Sequence, residues 1–207
     1  MIAIVDYGVG NLRSVQKAFE RLGHDAVITA LPSQIEQAHG VILPGVGAFG
    51  DAMNALLRLH LIDPILAVAK DKKPLLGICL GMQLLFSTSE EYGEHDGLNL
   101  IAGSVVRMHG DMKVPHVGWN QLQVVQNHPI VQDIDAGEHA YFVHSYYVKP
   151  ESSSVIVATT DYGTVFPSIV AFDNIIGVQF HPEKSSNAGL RMLDNFARLC
   201  LTGGGKR

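Results

Sequence analysis

The sequence predicts an α/β fold: a single-domain, open, mostly parallel sheet flanked by helices, with added antiparallel strands in its second half. Three observations carry that expectation. Short apolar runs alternate with helical stripes as far as Phe86, short alternating runs dominate from there to about Phe180, and a last helical stripe remains to cover a sheet face. The 207 residues suit one such domain with a sizeable core. The domain is taken as residues 1–202, with 203–207, which include Gly203-Gly204-Gly205, expected to be a disordered tail.

Ile2 to Val5 is an apolar strand, and Asn11 to Leu22 places Leu12, Val15, Phe19 and Leu22 on one helical face that Gly23 ends. Ala26 to Thr29 is the second strand, and Ser33-Gln34-Ile35-Glu36 reads as the capping box of a short helix. Val41-Ile42-Leu43 is the third strand, followed by helical material from about Asp51 to Lys70 with a break expected near Pro64. The fourth strand ends at Cys79, and Met82, Leu85 and Phe86 continue at helical spacing. Alternation of this kind implies parallel pairing with right-handed crossovers and ligands at the carboxyl ends of the strands. Past Ser87, Glu90, Glu91, Glu94 and Asp96 form an acidic loop. The strand candidates are then Val105 to Met108, Gln121 to Val125, Tyr141 to Val148, Val155 to Thr159, Ile169 to Phe172 and Ile176 to Phe180. From Asn187 to Leu201, Leu190, Leu193, Phe196, Ala197 and Cys200 form the closing stripe.

Composition narrows the function classes. A net charge of −5 and no Lys/Arg cluster before the last two residues argue against a nucleic-acid partner. No apolar run approaches the roughly 18 residues of a membrane span, and Met-Ile-Ala-Ile-Val-Asp has no basic n-region, so no membrane association and a cytoplasmic location are expected. The two Cys make neither a disulfide framework nor a metal cluster, and Cys200 reads as core.

The chemistry centres on Cys79. Gly77 and Gly81 flank it where a strand turns sharply into a helix, and Gly-x-Cys-x-Gly is the thiol counterpart of the Gly-x-Ser-x-Gly nucleophile elbow. A sulfur at a helix N-terminus is favoured as thiolate; the competing reading is a buried core Cys. Gly45-Val46-Gly47-Ala48-Phe49-Gly50 matches a dinucleotide fingerprint, but it follows the third strand and the next strand ends in Cys79 instead of an acid. Its better use is to offer backbone N–H groups, that of Val46 above all, to an oxyanion shared with the N–H of Leu80. A thiol nucleophile needs a base and an orienter. His181 stands at the end of an apolar strand, and Glu183, two residues on, points to the same side of an extended segment. His116 and His144 are left as core or surface residues.

Gly77-Ile78-Cys79-Leu80-Gly81-Met82-Gln83 together with Phe180-His181-Pro182-Glu183 resembles the class I glutamine amidotransferases, with a Cys, His, Glu triad. The segments 6–11, 44–50, 115–120, 141–146 and 184–186 make the chain, over nearly its whole length, similar to the glutaminase subunits of imidazole glycerol phosphate synthases. The resemblance implies hydrolysis of glutamine to glutamate and ammonia, without metal or cofactor, and a heterodimer with a (β/α)₈-barrel cyclase subunit. It implies glutamine contacts at Gln83, Glu91, Ser145 and Tyr146, with Glu90 and Glu94 as alternatives to Glu91. The family commonly has Thr where Ser145 stands. It also puts Asn11, Pro115, Val117, Trp119, Asn120 and Lys184 at the partner interface, although composition alone slightly favours a core plug for Trp119. Competing functions are a glutaminase of the same fold feeding another pathway, a stand-alone γ-glutamyl thiol hydrolase, and a non-catalytic binding module.

Overall fold

The computed structural model describes residues 1–110 and 112–202; the expected tail at 203–207 lies outside them. The first half runs β1 (Ile2–Val5), α1 (Leu12–Arg21), β2 (Ala26–Thr29), α2 (Pro32–Gln37), β3 (Gly40–Gly45), α3 (Phe49–Arg58), α4 (Ile62–Lys70), β4 (Leu75–Cys79) and α5 (Leu80–Leu84). The second half adds β5 (Phe86–Ser89), β6 (His95–Asp96), β7 (Ile101–Arg107), β8 (His116–Gln121), β9 (Gln123–Val124), β10 (His139–His144), β11 (Tyr146–Pro150), β12 (Ile156–Asp161), β13 (Val165–Phe172), β14 (Ile175–Val178) and α6 (Ser186–Thr202). The main sheet has the order β2-β1-β3-β4-β14-β13-β12-β9. The four strands of the first half are parallel, as expected, and β14 from the second half joins them parallel to β4, while β13, β12 and β9 are antiparallel. A ribbon of β10 and β8 and a small sheet β11-β7-β5-β6 complete it.

Period-2 alternation decides which residues reach which face of the main sheet. Ile2 and Ile4 pack with Phe19 of α1 and with Leu193, Phe196 and Cys200 of α6, while Ala3 and Val5 pack with Leu56 of α3 and Ile65 of α4. The stripe of α6 therefore closes one face and the α3–α4 pair the other. Cys200 is core: burial raises its thiol pKa to about 12.

Four local expectations are corrected. Ser33 caps nothing: α2 starts two residues earlier than that box requires, at Pro32 with Leu31 at the N-cap, because a proline's fixed φ suits the first helical position. The helical stretch breaks at His60, whose φ is 55°, and not at Pro64; α3 and α4 meet at 91°, and Pro64 sits in the first turn of α4, where its missing N–H costs no helical hydrogen bond. Phe86 opens β5 instead of ending a helix, since a buried apolar run has no periodicity to separate a five-residue helix from the strand after it. Tyr141 to Val148 is two strands broken at Ser145, because β10 pairs with β8 and β11 with β7, in different sheets. Pro167 lies inside β13, opposite an irregularity in the β12 register, where the ladder tolerates it. No single helix among the described residues is long and apolar enough to cross a membrane.

Candidate active site

Three neighbouring parallel strands end level with one another. Gly45 of β3 pairs with Cys79 of β4, and Val178 of β14 pairs with Ile78, so Val46, the Cys79–Leu80 turn and Gln179 to His181 emerge side by side. Cys79 has φ 55° and ψ −110°, a conformation that L-residues rarely adopt and that aims the sulfur out of the turn between β4 and α5. The flanking glycines are required by space. A Cβ on Gly77 would lie 2.6 Å from the Gly81 carbonyl oxygen, and one on Gly81 would collide with the Leu43 carbonyl. Tyr7, buried just past β1, donates its hydroxyl hydrogen bond to the Pro44 carbonyl at 2.7 Å and so holds the start of the Gly-rich loop against this turn. Burial, reinforced by the negative charge of Cys79, pushes the Tyr7 hydroxyl above its ordinary pKa, which keeps it a donor.

His181 and Glu183 meet as their spacing requires. The His181 Nδ1 to Glu183 Oε1 distance is 3.0 Å, and their side chains are 5% and 0% exposed. Burial alone would lower the imidazole pKa. The hydrogen bonds to Cys79 and Glu183, with their charges, outweigh it and raise the value to about 9. With Nδ1 held by the carboxylate, Nε2 is the nitrogen left for the sulfur. Glu183 Oε2 is buried with no hydrogen-bond partner, so the imidazole is the counter-charge that makes this carboxylate tolerable. His181 is itself fixed by backbone: its N–H donates to the Tyr141 carbonyl at 3.0 Å, and its carbonyl accepts from Ser185 Oγ at 2.7 Å.

A cavity of about 370 Å³ opens over the sulfur. It is lined by the predicted Val46 and Leu80, by Gln83, Glu91, Ser145 and Tyr146, and at its rim by Pro115 and Lys184. Leu80 is the first residue of α5, so its N–H has no partner within the helix. Of the three acidic candidates, Glu91 is the one at this cavity, whereas Glu90 and Glu94 line a separate groove. Glu91 also accepts from the Phe49 N–H at 2.7 Å, satisfying the first orphan donor of α3 and anchoring the loop. Burial, then the Glu91 carboxylate, raises the pKa of Tyr146. Gln83 is buried and donates to the Tyr146 carbonyl at 3.0 Å and to Gln179 Oε1 at 3.2 Å, so it ties α5 to β11 and to the end of β14.

The residues expected at a partner surface fall together on the ribbon and the cavity rim, except Asn11, which lies at the N-cap of α1. Val117, Trp119 and Val143 are 55%, 54% and 37% exposed on one ribbon face, so Trp119 is no core plug. Asn120 is instead engaged internally: it donates to the Asp161 carbonyl at 2.9 Å and lies 3.3 Å from His116 Nε2. Behind the ribbon is a pair left unassigned by sequence. His116 Nδ1 lies 3.0 Å from His144 Nε2, and His144 Nδ1 lies 2.8 Å from the Tyr146 carbonyl. A carbonyl only accepts, so His144 carries its proton on Nδ1, His116 donates from Nδ1, and Asn120 donates to His116 Nε2. Both imidazoles are buried and satisfied when neutral; burial lowers His116 to about 4 and, mainly, His144 to about 3. The alternation of Phe142 with His144 on a strand with a buried face was the available signal.

Comparison with known proteins agrees with this geometry. The family model described as "Glutamine amidotransferase class-I" matches residues 3–200. The chain is 54% identical over 206 residues to the imidazole glycerol phosphate synthase subunit HisH of Syntrophotalea carbinolica, covering 96% of this chain and 100% of that protein. It is 51% identical to the subunit of the same name from Geobacter metallireducens, with 95% and 97% covered. A crystal structure described as a glutamine amidotransferase superposes with TM-score 0.77 at 20% identity, covering 97% of this chain and 99% of that one, a likeness of fold. The chain belongs to the class I glutamine amidotransferases, and among them to the HisH subunits of imidazole glycerol phosphate synthase.

Proposed function

We propose that the single domain of residues 1–202 hydrolyses glutamine and delivers the ammonia to a (β/α)₈-barrel cyclase subunit that makes imidazole glycerol phosphate. The observation that carries the chemistry is the Cys79 elbow facing a buried His181–Glu183 pair at 3.0 Å. In this reading the Cys79 thiolate attacks the side-chain amide carbon of glutamine, and the N–H groups of Val46 and Leu80 receive the oxyanion. His181 gives a proton to the departing nitrogen, which leaves as ammonia and leaves a glutamyl thioester. His181 then takes a proton from water, the hydroxide attacks the thioester, and glutamate and the Cys79 thiolate are released. Glu183 holds the imidazole and stabilises its charged form. Glu91, Tyr146, Ser145 and Gln83 line the space for the amino-acid end of the substrate.

The exposed Val117, Trp119 and Val143 strip beside the cavity mouth supports docking of the partner there, with Pro115 and Lys184 at the rim; Asn11, at the N-cap of α1, and Asn120, bonded to the Asp161 carbonyl, are proposed for the interface on the family resemblance alone. A lid formed by the partner would keep ammonia from water, and such a reaction belongs in the cytoplasm with the rest of amino-acid biosynthesis. The test is a glutaminase assay on this chain alone and with the cyclase and its ribotide ligand. Turnover rising with partner and ligand is expected; fast hydrolysis of γ-glutamyl peptides by the chain alone, unaffected by the partner, would favour the stand-alone hydrolase instead.

A further inference from the structure

We propose that Gln179 is a further catalytic residue, whose side-chain amide donates to the Cys79 thiolate from beneath. This rests on the reading of Cys79 as nucleophile. Gln179 is 0% exposed, and a buried amide in an apolar strand end needs partners for both its oxygen and its nitrogen. It stands where the β4–β14 register sets it beside Cys79, and on the same side of the chain as His181, two residues on. Its Nε2 lies 3.9 Å from Cys79 Sγ.

The orientation of that amide follows from the hydrogen-bond chain behind it. The Tyr146 carbonyl can only accept, so the atom of Gln83 facing it at 3.0 Å is the nitrogen. The same Gln83 nitrogen faces Gln179 at 3.2 Å, so the Gln179 atom there is the oxygen, and its NH₂ is turned to the sulfur. Besides His181, a further polar neighbour of the sulfur works against ionisation: Cys79 Sγ donates to the Val143 carbonyl at 3.7 Å, a contact that favours the thiol. At 3.9 Å the Gln179 contact is long for a neutral thiol, and a charged acceptor strengthens such a bond roughly twofold. Gln179 thus acts selectively on the state that attacks, while His181 holds the proton. Gln83, at the substrate cavity, is the part that fixes this donor, so a shift of Gln83 or of the Tyr146 carbonyl on glutamine binding would be felt at the sulfur.

The test measures alkylation of Cys79 by iodoacetamide against pH in the full chain and in Gln179→Met, a near-isostere with no donor. Cys200 is buried with its pKa raised to about 12, so Cys79 dominates the signal. The rate at pH 7 should fall about tenfold and the midpoint should rise by about one unit, the expected size of one hydrogen bond to a charged group. In the unaltered chain, which avoids any folding defect of the variant, the Gln179 side-chain amide proton resonance should shift with the midpoint of Cys79 alkylation. Superimposable alkylation profiles, or an amide resonance indifferent to that titration, overturn the inference about Gln179 alone. A Cys79 that resists alkylation in the unaltered chain overturns the nucleophile reading together with it.

Discussion

Replacing His144 by Asn should make folding less sensitive to acid. The imidazole of His144 is lowered from 6.5 to about 3, first by burial, against which the bond to the Tyr146 carbonyl works, with the nearby His116 and His181 adding to the lowering. An unfolded imidazole takes up a proton that the folded one refuses, so the stability tied to the neutral form is complete above about pH 6.5 and falls as pH drops toward 3. Integrated from pH 7 to pH 5, this one group costs the folded state about 2 kcal/mol. His116, lowered to about 4, acts in the same direction. His181, raised to about 9, acts in the opposite one: its contribution is complete below about pH 6.5 and is lost as pH rises through 9, so the same acidification returns about 1 kcal/mol. Urea unfolding of both chains at pH 7 and pH 5 isolates the His144 share as a difference of differences. Asn is expected to lower stability at pH 7, because it leaves His116 Nδ1 poorly matched, and to lose about 2 kcal/mol less on acidification. Parallel losses in the two chains would refute the neutral, single-tautomer assignment of the pair.

Glu183→Gln should damage glutamine turnover less than His181→Ala, since the amide can still hold the imidazole while the nucleophile and oxyanion donors remain; steady-state kinetics with the cyclase present would expose the reverse order. Trp119→Ala should weaken the complex by roughly 1 to 4 kcal/mol if Trp119 is an interface hot spot, read by titration calorimetry. The melting temperature of the isolated chain should change little, because Trp119 is 54% exposed and packs edge-on against Tyr141; a large drop with unchanged affinity would contradict the docking surface.

The parallel half of the fold was legible because its strands are buried apolar runs and its helices have one apolar face, so length and period agree. The nucleophile elbow was legible for a steric reason, as the collisions awaiting a Cβ at Gly77 and Gly81 demonstrate. His181 and Glu183 were legible because both lie on one short segment. What stayed hidden depends on pairing between distant segments. Ser145 breaks a strand only because its two sides join different sheets, and His116 and His144 meet only because β8 and β10 are in register. Gln179 is illegible in the sequence for a related reason: a Gln at a strand end has no chemistry of its own until Gln83 and the Tyr146 carbonyl orient it.

The most direct test of the central claim is to assay the complex of Cys79→Ala with the cyclase, once with glutamine and once with ammonium ion as nitrogen source. The thiol splits the amide and takes no part in cyclisation, so glutamine-dependent synthesis should fall by a factor on the order of 10⁶, to the limit of detection, while ammonium-dependent synthesis persists. Persistence of glutamine-dependent synthesis, or equal loss of both reactions in a complex that still assembles, would contradict the account.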